Sequence, residues 1–466
     1  MHKFRLVLLT ITMLLGVTSL QESLGQDKKN VLFIIVDDLN PTLGTYGHPT
    51  VLTPNIDKLA EQGVQFNRAY SNFSLCNPSR SSFLSGLLPE TLGITENKTS
   101  LQSVIGDRVT MPELFRKNGY HAASLGKVFH GRREHNDPNA WDEIHGFGPT
   151  ELGKTGEQRD LTDGALTWCW WRAAEGDDLD QPDGKVAQKA IEIIKQKRDK
   201  PFFLAVGFHK PHDPFIAPKK YFDMYPLVSC DPPPVPEVWS LPYAHSLDGR
   251  VAKAEVFDKF TDQDKREFLR SYYACTSFMD AQVGKVLKAL NEEGLSENTL
   301  IVFMGDHGYH LGEHQWWNKV SLYEKGQNAP LIIVDGDESN KGLQSNAMVE
   351  FIDLYPTMAE LSGLKNIPGH LEGKSFTNVI DNPLRSFRDV VYGIVGRGET
   401  LGRSIKTDDW RYIEWDEGKM SYELYNEKSD PIEYQNLANN KKYAKVMENM
   451  RELMREYQQG SLATIK

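Results

Sequence analysis

The sequence has few cysteines, no block of like charges and, after its first residues, no long apolar run. Only four of the 466 residues are cysteine, so we do not expect a framework of disulfides to stabilise the fold. The 53 lysine and arginine residues are interspersed with 64 aspartate and glutamate residues, for a formal net charge of −11. This acidic balance argues against nucleic-acid binding. No apolar run after residue 25 is long enough to span a membrane.

What is present is typical of a folded globular chain. Hydrophobic residues make up 39% of the sequence and charged residues 25%, which predicts a sizeable core. The length alone suggests roughly two to three domains. A polyanionic polysaccharide is still a compatible partner wherever lysine, arginine and histidine cluster locally.

The amino terminus has the pattern of a secretory signal. Two positive charges in residues 1–5 precede an apolar run over 6–20, and Ser23 and Gly25 supply small residues near a cleavage point. The alternative is a buried first strand or helix. We predict a cleavable signal peptide over residues 1–25 and hence a secreted or periplasmic protein.

Alternating apolar runs and amphipathic stretches predict an α/β sheet with helices on both faces. Continuous apolar runs are typical of strands buried on both sides. The predicted strands are 31–36, 202–206, 300–304 and 331–334, and the predicted helices are 55–63, 186–195 and a long one from a capping box at 261–264 to about 294.

The pattern changes after about residue 382. Short strand-like segments with polar turns predict a small α+β subdomain with an antiparallel sheet. These segments are 390–395, 403–406, 410–415 and 422–425, followed by a helix from Lys441. We therefore predict a catalytic domain over 26–382 and a carboxyl-terminal subdomain over 383–466.

The most specific motif is the run Cys76-Asn77-Pro78-Ser79-Arg80, followed by Leu84-Ser85-Gly86. It resembles the signature C-x-P-S-R-x-x-x-L-[ST]-G of the type I sulfatases, and a structural cysteine requires no such neighbours. The resemblance implies that a formylglycine-generating enzyme oxidises Cys76 to formylglycine (3-oxoalanine). The aldehyde hydrates to a diol, one oxygen of which becomes a strong nucleophile beside a cation.

Other features of the motif suit a sulfate substrate. Pro78 is compatible with the first turn of a helix, whose exposed N–H groups favour an anion. Arg80 can hold the diol or the sulfate through a charge-assisted fork. If Cys76 is consumed in this way, at most one disulfide can form among Cys169, Cys230 and Cys275, and Cys275 has the helical spacing of a core residue.

A cation requires ligands, and carboxylates follow two of the predicted strands. Asp37 and Asp38 come directly after the first strand, and Asp306 and His307 follow the third. Hard oxygen donors suit Ca²⁺. A lone aspartate after a strand is more often a turn or cap, but three of them beside the signature predict a Ca²⁺ site that includes Cys76.

Basic residues recur at the predicted strand ends. Lys127 and His130 lie in the segment GKVFH, His209 lies in GFHKPH, and Lys319 follows the predicted metal ligands in EHQWWNK. With VDDLNPTLGTYG, PNIDKLA and GDHGYHLGEH, these segments resemble the iduronate-2-sulfatase branch of the family, which also has histidine at the position of His307.

The resemblance implies an alkaline-phosphatase-like fold, a mixed sheet sandwiched by helices with a smaller carboxyl-terminal subdomain. It also implies that Lys127, His130, His209 and Lys319 contact the sulfate or the leaving oxygen, and that Arg80 orients the formylglycine. Our hypothesis is that His209 is the acid, with Lys319 beside it, and that His130 is the base.

The substrate that these features predict is a sulfated carbohydrate, such as ulvan or a glycosaminoglycan. Glu399 stands where the iduronate branch has a lysine, so the resemblance does not determine which sugar carries the sulfate. Two alternatives remain: a phosphonate or phosphodiester hydrolase of the same superfamily, and an inactive sulfated-glycan-binding protein. Trp168, Trp170 and Trp171 form either a sugar-stacking wall or part of a core.

Overall fold

The computed structural model describes residues 28–131, 137–196, 199–240, 244–247, 254–336 and 338–463. The predicted signal peptide lies outside these residues. The strands are β1 (Asn30–Val36), β2 (Val64–Phe66), β3 (Ala69–Tyr70), β4 (His121–Gly126), β5 (Glu143–His145), β6 (Gly156–Asp160), β7 (Trp170–Ala174), β8 (Phe202–Phe208), β9 (Phe215–Pro218), β10 (Thr299–Gly305), β11 (Leu331–Val334), β12 (Leu343–Ser345), β13 (Val349–Glu350), β14 (Val391–Arg397), β15 (Thr400–Lys406), β16 (Trp410–Trp415) and β17 (Ser421–Asn426).

The α-helices of the same residues vary from single turns to 31 residues. They are α1 (Pro54–Ala60), α2 (Cys76–Ser85), α3 (Pro89–Leu92), α4 (Leu101–Ile105), α5 (Met111–Lys117), α6 (Pro182–Lys195), α7 (Lys219–Phe222), α8 (Ala244–Leu247), α9 (Ala254–Phe257), α10 (Asp262–Glu292), α11 (Glu324–Gln327), α12 (Leu354–Leu361), α13 (Thr377–Asp381) and α14 (Ala444–Ala463). The capping box predicted at Thr261 and Asp264 begins α10, as expected.

An eight-stranded mixed sheet forms the centre of the molecule, in the order β12-β2-β11-β10-β1-β8-β4-β5. Strands β10, β1, β8, β4 and β5 run parallel, and β11 is antiparallel to both of its neighbours. In register, Val36 at the end of β1 lies opposite Gly305 of β10 and Phe208 of β8. The carboxyl ends of these strands therefore meet at one edge of the sheet.

Both faces of the sheet are covered because its central strands are apolar throughout. On one face Leu32 and Ile34 pack with residues of α1, α6 and α10. On the other face Val31 and Phe33 pack with residues of α2, α5 and α12. The predicted mixed sheet between two layers of helices is confirmed.

A four-stranded antiparallel meander, β14-β15-β16-β17, follows near the carboxyl end, as predicted. Met447, Met450 and Met454 of α14 belong to its core, and this helix begins three residues after the predicted Lys441. The Ile394 N–H of β14 donates to the Asn72 carbonyl at 2.9 Å. This sheet, the carboxyl-terminal sheet, is therefore joined to the segment that leads into α2.

A small sheet, β6-β7-β9, was not predicted. Its strands are short and partly polar, so their sequence alone gives a weak signal. All four cysteines are buried free thiols, and Cys275 lies in the core as expected. No helix among the described residues is both long and apolar enough to cross a membrane.

Candidate active site

Four adjacent parallel strands deliver polar residues to the same edge of the central sheet. Lys127 follows β4, His209 follows β8, Asp37 follows β1 and Asp306 follows β10. Ligands of α/β sheets bind beyond the carboxyl ends of such strands. The structure therefore places these carboxylates and basic groups at one edge of the sheet.

Cys76 is the first residue of α2 and lies over this edge. Its side chain is fully buried. The amine of Lys319 is 3.2 Å from its sulfur and the amine of Lys127 is 3.6 Å away. The Asp38 carboxylate is 3.9 Å from the same sulfur. The α2 amino terminus and the two lysine amines add positive charge around residue 76, and the neighbouring carboxylates add negative charge.

The predicted metal ligands gather around the same atom. Asp37, Cys76, Asp306 and His307 each offer one ligand atom, and these atoms all lie within 4.8 Å of one another. The His307 Nε2 is 3.4 Å from Asp38 Oδ1 and 3.6 Å from Asp306 Oδ2.

These donors fit a cation. Asp38 Oδ2 and His307 Nε2 are buried without a hydrogen-bond partner in the described part of the chain. Buried polar atoms without a partner are costly, and crowded buried carboxylates repel one another. A hard cation such as Ca²⁺ would pair with these buried atoms and reduce the repulsion between the carboxylates, since it prefers carboxylate oxygens.

Arg80 connects the carboxylates from two of the strands. Its side chain is completely buried; Nε donates to Asp306 at 2.9 Å and a terminal nitrogen donates to Asp37 at 3.1 Å. The other terminal nitrogen donates to the carbonyl oxygens of Lys127 and Val128. Arg80 therefore holds the ends of β1, β10 and β4 in one arrangement around residue 76.

The electrostatics keep the encoded cysteine neutral. Burial and the nearby Asp37 carboxylate raise the pKa of the Cys76 thiol far above its usual value. Burial alone would also raise the pKa of Asp37, but Lys127, His212 and Arg80 outweigh it and hold that pKa well below its ordinary value. An unmodified Cys76 is therefore a poor nucleophile at neutral pH, because the thiolate is the reactive form.

The two histidines proposed as acid and base have different surroundings. His130 is half-buried, and its partial burial together with the charge of Lys127 lowers its pKa to about 3, so the ring is neutral at pH 7. The His209 ring is 39% exposed, and its Nδ1 lies 3.1 Å from Asp183 Oδ1. Asp183, at the start of α6, also accepts the N–H groups of His209 and Lys210. The sequence signal that could have identified Asp183 is its position directly after Pro182 at a helix start.

Another residue that sequence reasoning missed is His212. Its Nε2 lies 3.8 Å from Asp37 Oδ2 and 3.9 Å from Asp38 Oδ2. With Asp37, Asp38 and Cys76 it forms a second group of ligand atoms within 4.8 Å of one another. The segment GFHKPH carries two histidines three residues apart, and the structure places the second one against the carboxylates.

The three tryptophans of the insertion separate into two kinds. Trp171 is 6% exposed and packs in the core, and Trp168 packs against that core with its ring 6.3 Å from Phe257. Trp170 is half-buried, and the guanidinium of Arg172 lies 5.0 Å from its ring centre. The core interpretation therefore applies to Trp168 and Trp171, and Trp170 stays a candidate for sugar contact.

Comparison with known proteins agrees with this site. Residues 29–364 match the family model described as Sulfatase, and residues 312–460 match the carboxyl-terminal model of N-sulphoglucosamine sulphohydrolase. A sulfatase of Formosa agariphila is 35% identical over 458 residues, covering 92% of this chain and 86% of that protein. The iduronate 2-sulfatase of Homo sapiens is 32% identical over 525 residues, covering 93% of this chain and 95% of that protein.

A solved structure gives the same fold. A protein described in complex with its substrate D-glucosamine-2-N,6-O-disulfate superimposes with a TM-score of 0.77 at 22% identity, covering 94% of this chain and 98% of that chain. The alkaline-phosphatase-like architecture predicted from the sequence is thereby confirmed. On the match over most of its length, and on the relatives at 32% and 35% identity, this chain belongs to the sulfatase family.

Proposed function

We propose that the protein hydrolyses sulfate esters of a carbohydrate, with formylglycine at residue 76 and Ca²⁺ beside it. The observation that carries this proposal is the position of the Cys76 side chain. It starts a helix, lies between the amines of Lys319 and Lys127, and adjoins the carboxylate cluster. This arrangement supports the proposal that sulfate, a cation and the nucleophile meet at residue 76.

The proposal assigns a place to Ca²⁺ and to the formylglycine side chain. Asp37, Asp38, Asp306 and His307 would hold Ca²⁺ together with residue 76, where its charge favours an ionised oxygen nucleophile over a protonated one. The aldehyde of formylglycine would supply that oxygen after hydration.

The side chains of the chain itself bind and orient the substrate. Lys319 and Lys127 bind the sulfate oxygens, since their buried amines already converge on residue 76. Arg80 fixes the carboxylates that surround it. His209 protonates the departing sugar oxygen, and Asp183 orients its ring through Nδ1. His130 is neutral at pH 7 and is the proposed acceptor of the proton when sulfate leaves residue 76, and its lowered pKa makes it a weaker base than an ordinary histidine.

A carbohydrate substrate is supported by the relatives. One is named for iduronate and the structural neighbour is described with a sulfated glucosamine as its substrate. The predicted signal peptide supports a secreted or periplasmic location, and the signature supports maturation by a formylglycine-generating enzyme. The domain limits at residues 25 and 382 remain predictions.

A direct comparison of substrates tests the proposed function. We expect multiple turnovers on at least one member of a panel of sulfated oligosaccharides, including ulvan and glycosaminoglycan fragments. Phosphonate monoesters and phosphate diesters are expected to react at least roughly tenfold more slowly in kcat/KM, because they present two terminal oxygens to the lysines and the cation where a sulfate ester presents three. Faster hydrolysis of a phosphorus ester would favour the hydrolase alternative, and binding without any turnover by modified protein would favour the glycan-binding one.

The leaving group separates the roles of the two histidines. We expect His209→Ala to lower kcat for a sugar sulfate by roughly 10²-fold and for nitrophenyl sulfate much less, because nitrophenolate departs without a proton. His130→Ala should slow both substrates alike, since it acts after the leaving group has gone. Steady-state kinetics on both substrates measure the ratio, and His145→Ala, on the edge strand β5 and paired with Glu143, is the control. Equal losses for His209→Ala on the two substrates would contradict its assignment as the acid.

A further inference from the structure

Val320, which directly follows Lys319, has a backbone conformation that is unfavourable for valine. Val320 has a φ of +63°, in the left-handed region. Among the described non-glycine residues with positive φ, it is the only β-branched one. Branching at Cβ makes this conformation unfavourable, so contacts elsewhere must maintain it.

The contacts that maintain it surround the Lys319–Val320 segment. The Val320 N–H donates to the Ser74 carbonyl at 2.9 Å, two residues before Cys76. The Trp316 indole N–H donates to the Lys319 carbonyl at 3.1 Å. The Val320 carbonyl accepts a hydrogen bond from the Arg397 guanidinium. Of these three partners, only Arg397 comes from the carboxyl-terminal sheet.

Arg397 is well placed to hold a strained peptide. It is the last residue of β14 and pairs with Thr400 across the hairpin. Its guanidinium lies 5.8 Å from the ring centre of Trp415, which is fully buried on β16. A side chain that already packs against a rigid sheet loses little further conformational entropy when it forms its hydrogen bond.

We infer that Arg397 is a positioning residue of the catalytic site, which keeps Val320 left-handed and so aims the Lys319 amine at residue 76. The amine lies 3.2 Å from the Cys76 sulfur at the end of this segment. A rotation of the Val320 backbone toward its preferred region would move Lys319 away. The inference rests on the proposed role of Lys319, and it gives the carboxyl-terminal sheet an indirect part in the reaction, through the position of that lysine.

The test is a rescue experiment. We expect Arg397→Ala to lower kcat by roughly 10- to 100-fold with little change in KM, since a displacement of about 1 Å is enough for such a loss. Adding Val320→Gly should restore most of kcat, because glycine adopts a positive φ without stabilising contacts from other residues. Val320→Asn, which tolerates the left-handed region and retains more side-chain volume, gives a second rescue variant.

Arg403, on the neighbouring strand β15, offers a matched control for the loss of an arginine. Its guanidinium pairs with Glu90 at 3.0 Å, and Arg403→Ala should leave kcat within about twofold, as expected for a substitution outside the site. An Arg397→Ala loss that neither Val320 variant rescues would overturn the inference, as would wild-type kcat in Arg397→Ala.

Lys319→Ala distinguishes the failure of the inference from the failure of the proposed function. If Lys319→Ala is slow and Arg397→Ala is not, only the inference is overturned. If Lys319→Ala keeps the wild-type kcat, both the proposed role of Lys319 and the inference are overturned. Slow turnover in both variants, with rescue only of Arg397→Ala by Val320→Gly, is the expected result.

Discussion

Replacement of Cys76 by serine is expected to abolish multiple turnover, with kcat lowered by at least about 10³-fold. The serine hydroxyl can attack a sulfate ester once, but it offers no second hydroxyl through which sulfate can leave. Sulfate should therefore remain on residue 76 as an ester, which peptide mass spectrometry detects. In the wild-type protein, the same peptide should be about 18 Da lighter than its sequence, because CH₂–SH has become an aldehyde.

The choice of control matters because all four cysteines are buried. Cys275→Ser changes a cysteine in the core on α10 and should lower stability while kcat stays near that of the wild type. An unmodified thiol at residue 76 in fully active enzyme would refute the formylglycine mechanism. Continuous turnover by Cys76→Ser would refute the requirement for the second hydroxyl.

The sequence predicted the central sheet well because its main strands need no partner to be recognised. The run from Val31 to Val36 is apolar at every position, which fits a strand covered on both faces. Strands such as β2 and β12 have three residues each and include polar side chains. Their strand conformation depends on distant partners in the sheet, so local pattern could not reveal them.

The site was predicted to a similar extent and for a related reason. Strand ends place Asp37 and Asp306 side by side, and register in the sheet brings them together without further information. Strand register does not determine the path of the loop after β8. Whether His209 or His212 approaches the carboxylates depends on the path of the loop, and spacing alone cannot determine it. The same holds for Arg397, which reaches Val320 only through contact between two sheets.

Removal of a carboxylate from the cluster is expected to abolish both metal binding and turnover. Asp306→Asn preserves the shape of the side chain but removes a negative oxygen from the group formed with Asp37, Cys76 and His307. We expect kcat to fall by roughly 10³-fold, since the proposed cation stabilises charge in the reaction. The fold should survive, because Arg80 keeps its 3.1 Å hydrogen bond to Asp37.

Thermal unfolding measures the metal separately from the reaction. For the wild-type protein stripped by a chelator, addition of Ca²⁺ to 100 times its Kd should stabilise the native state by about 2.7 kcal/mol. For a chain of this length, that corresponds to a rise in Tm of about 3 °C. Asp306→Asn should show no such rise at the same Ca²⁺ concentration, because the cluster has lost one of its negatively charged oxygen ligands.

Asp353→Asn is the matched control for loss of a buried carboxylate. Asp353 is fully buried and pairs with Arg388 at 2.5 Å, and it belongs to neither group of ligand atoms around Cys76. Its replacement should lower Tm with and without Ca²⁺, yet leave the rise on adding Ca²⁺ intact, because the metal ligands are unchanged. If the chelated wild-type protein keeps full activity and its Tm does not respond to Ca²⁺, the three carboxylates around residue 76 are balanced by Arg80, Lys127 and Lys319 alone, and the proposed metal site is wrong.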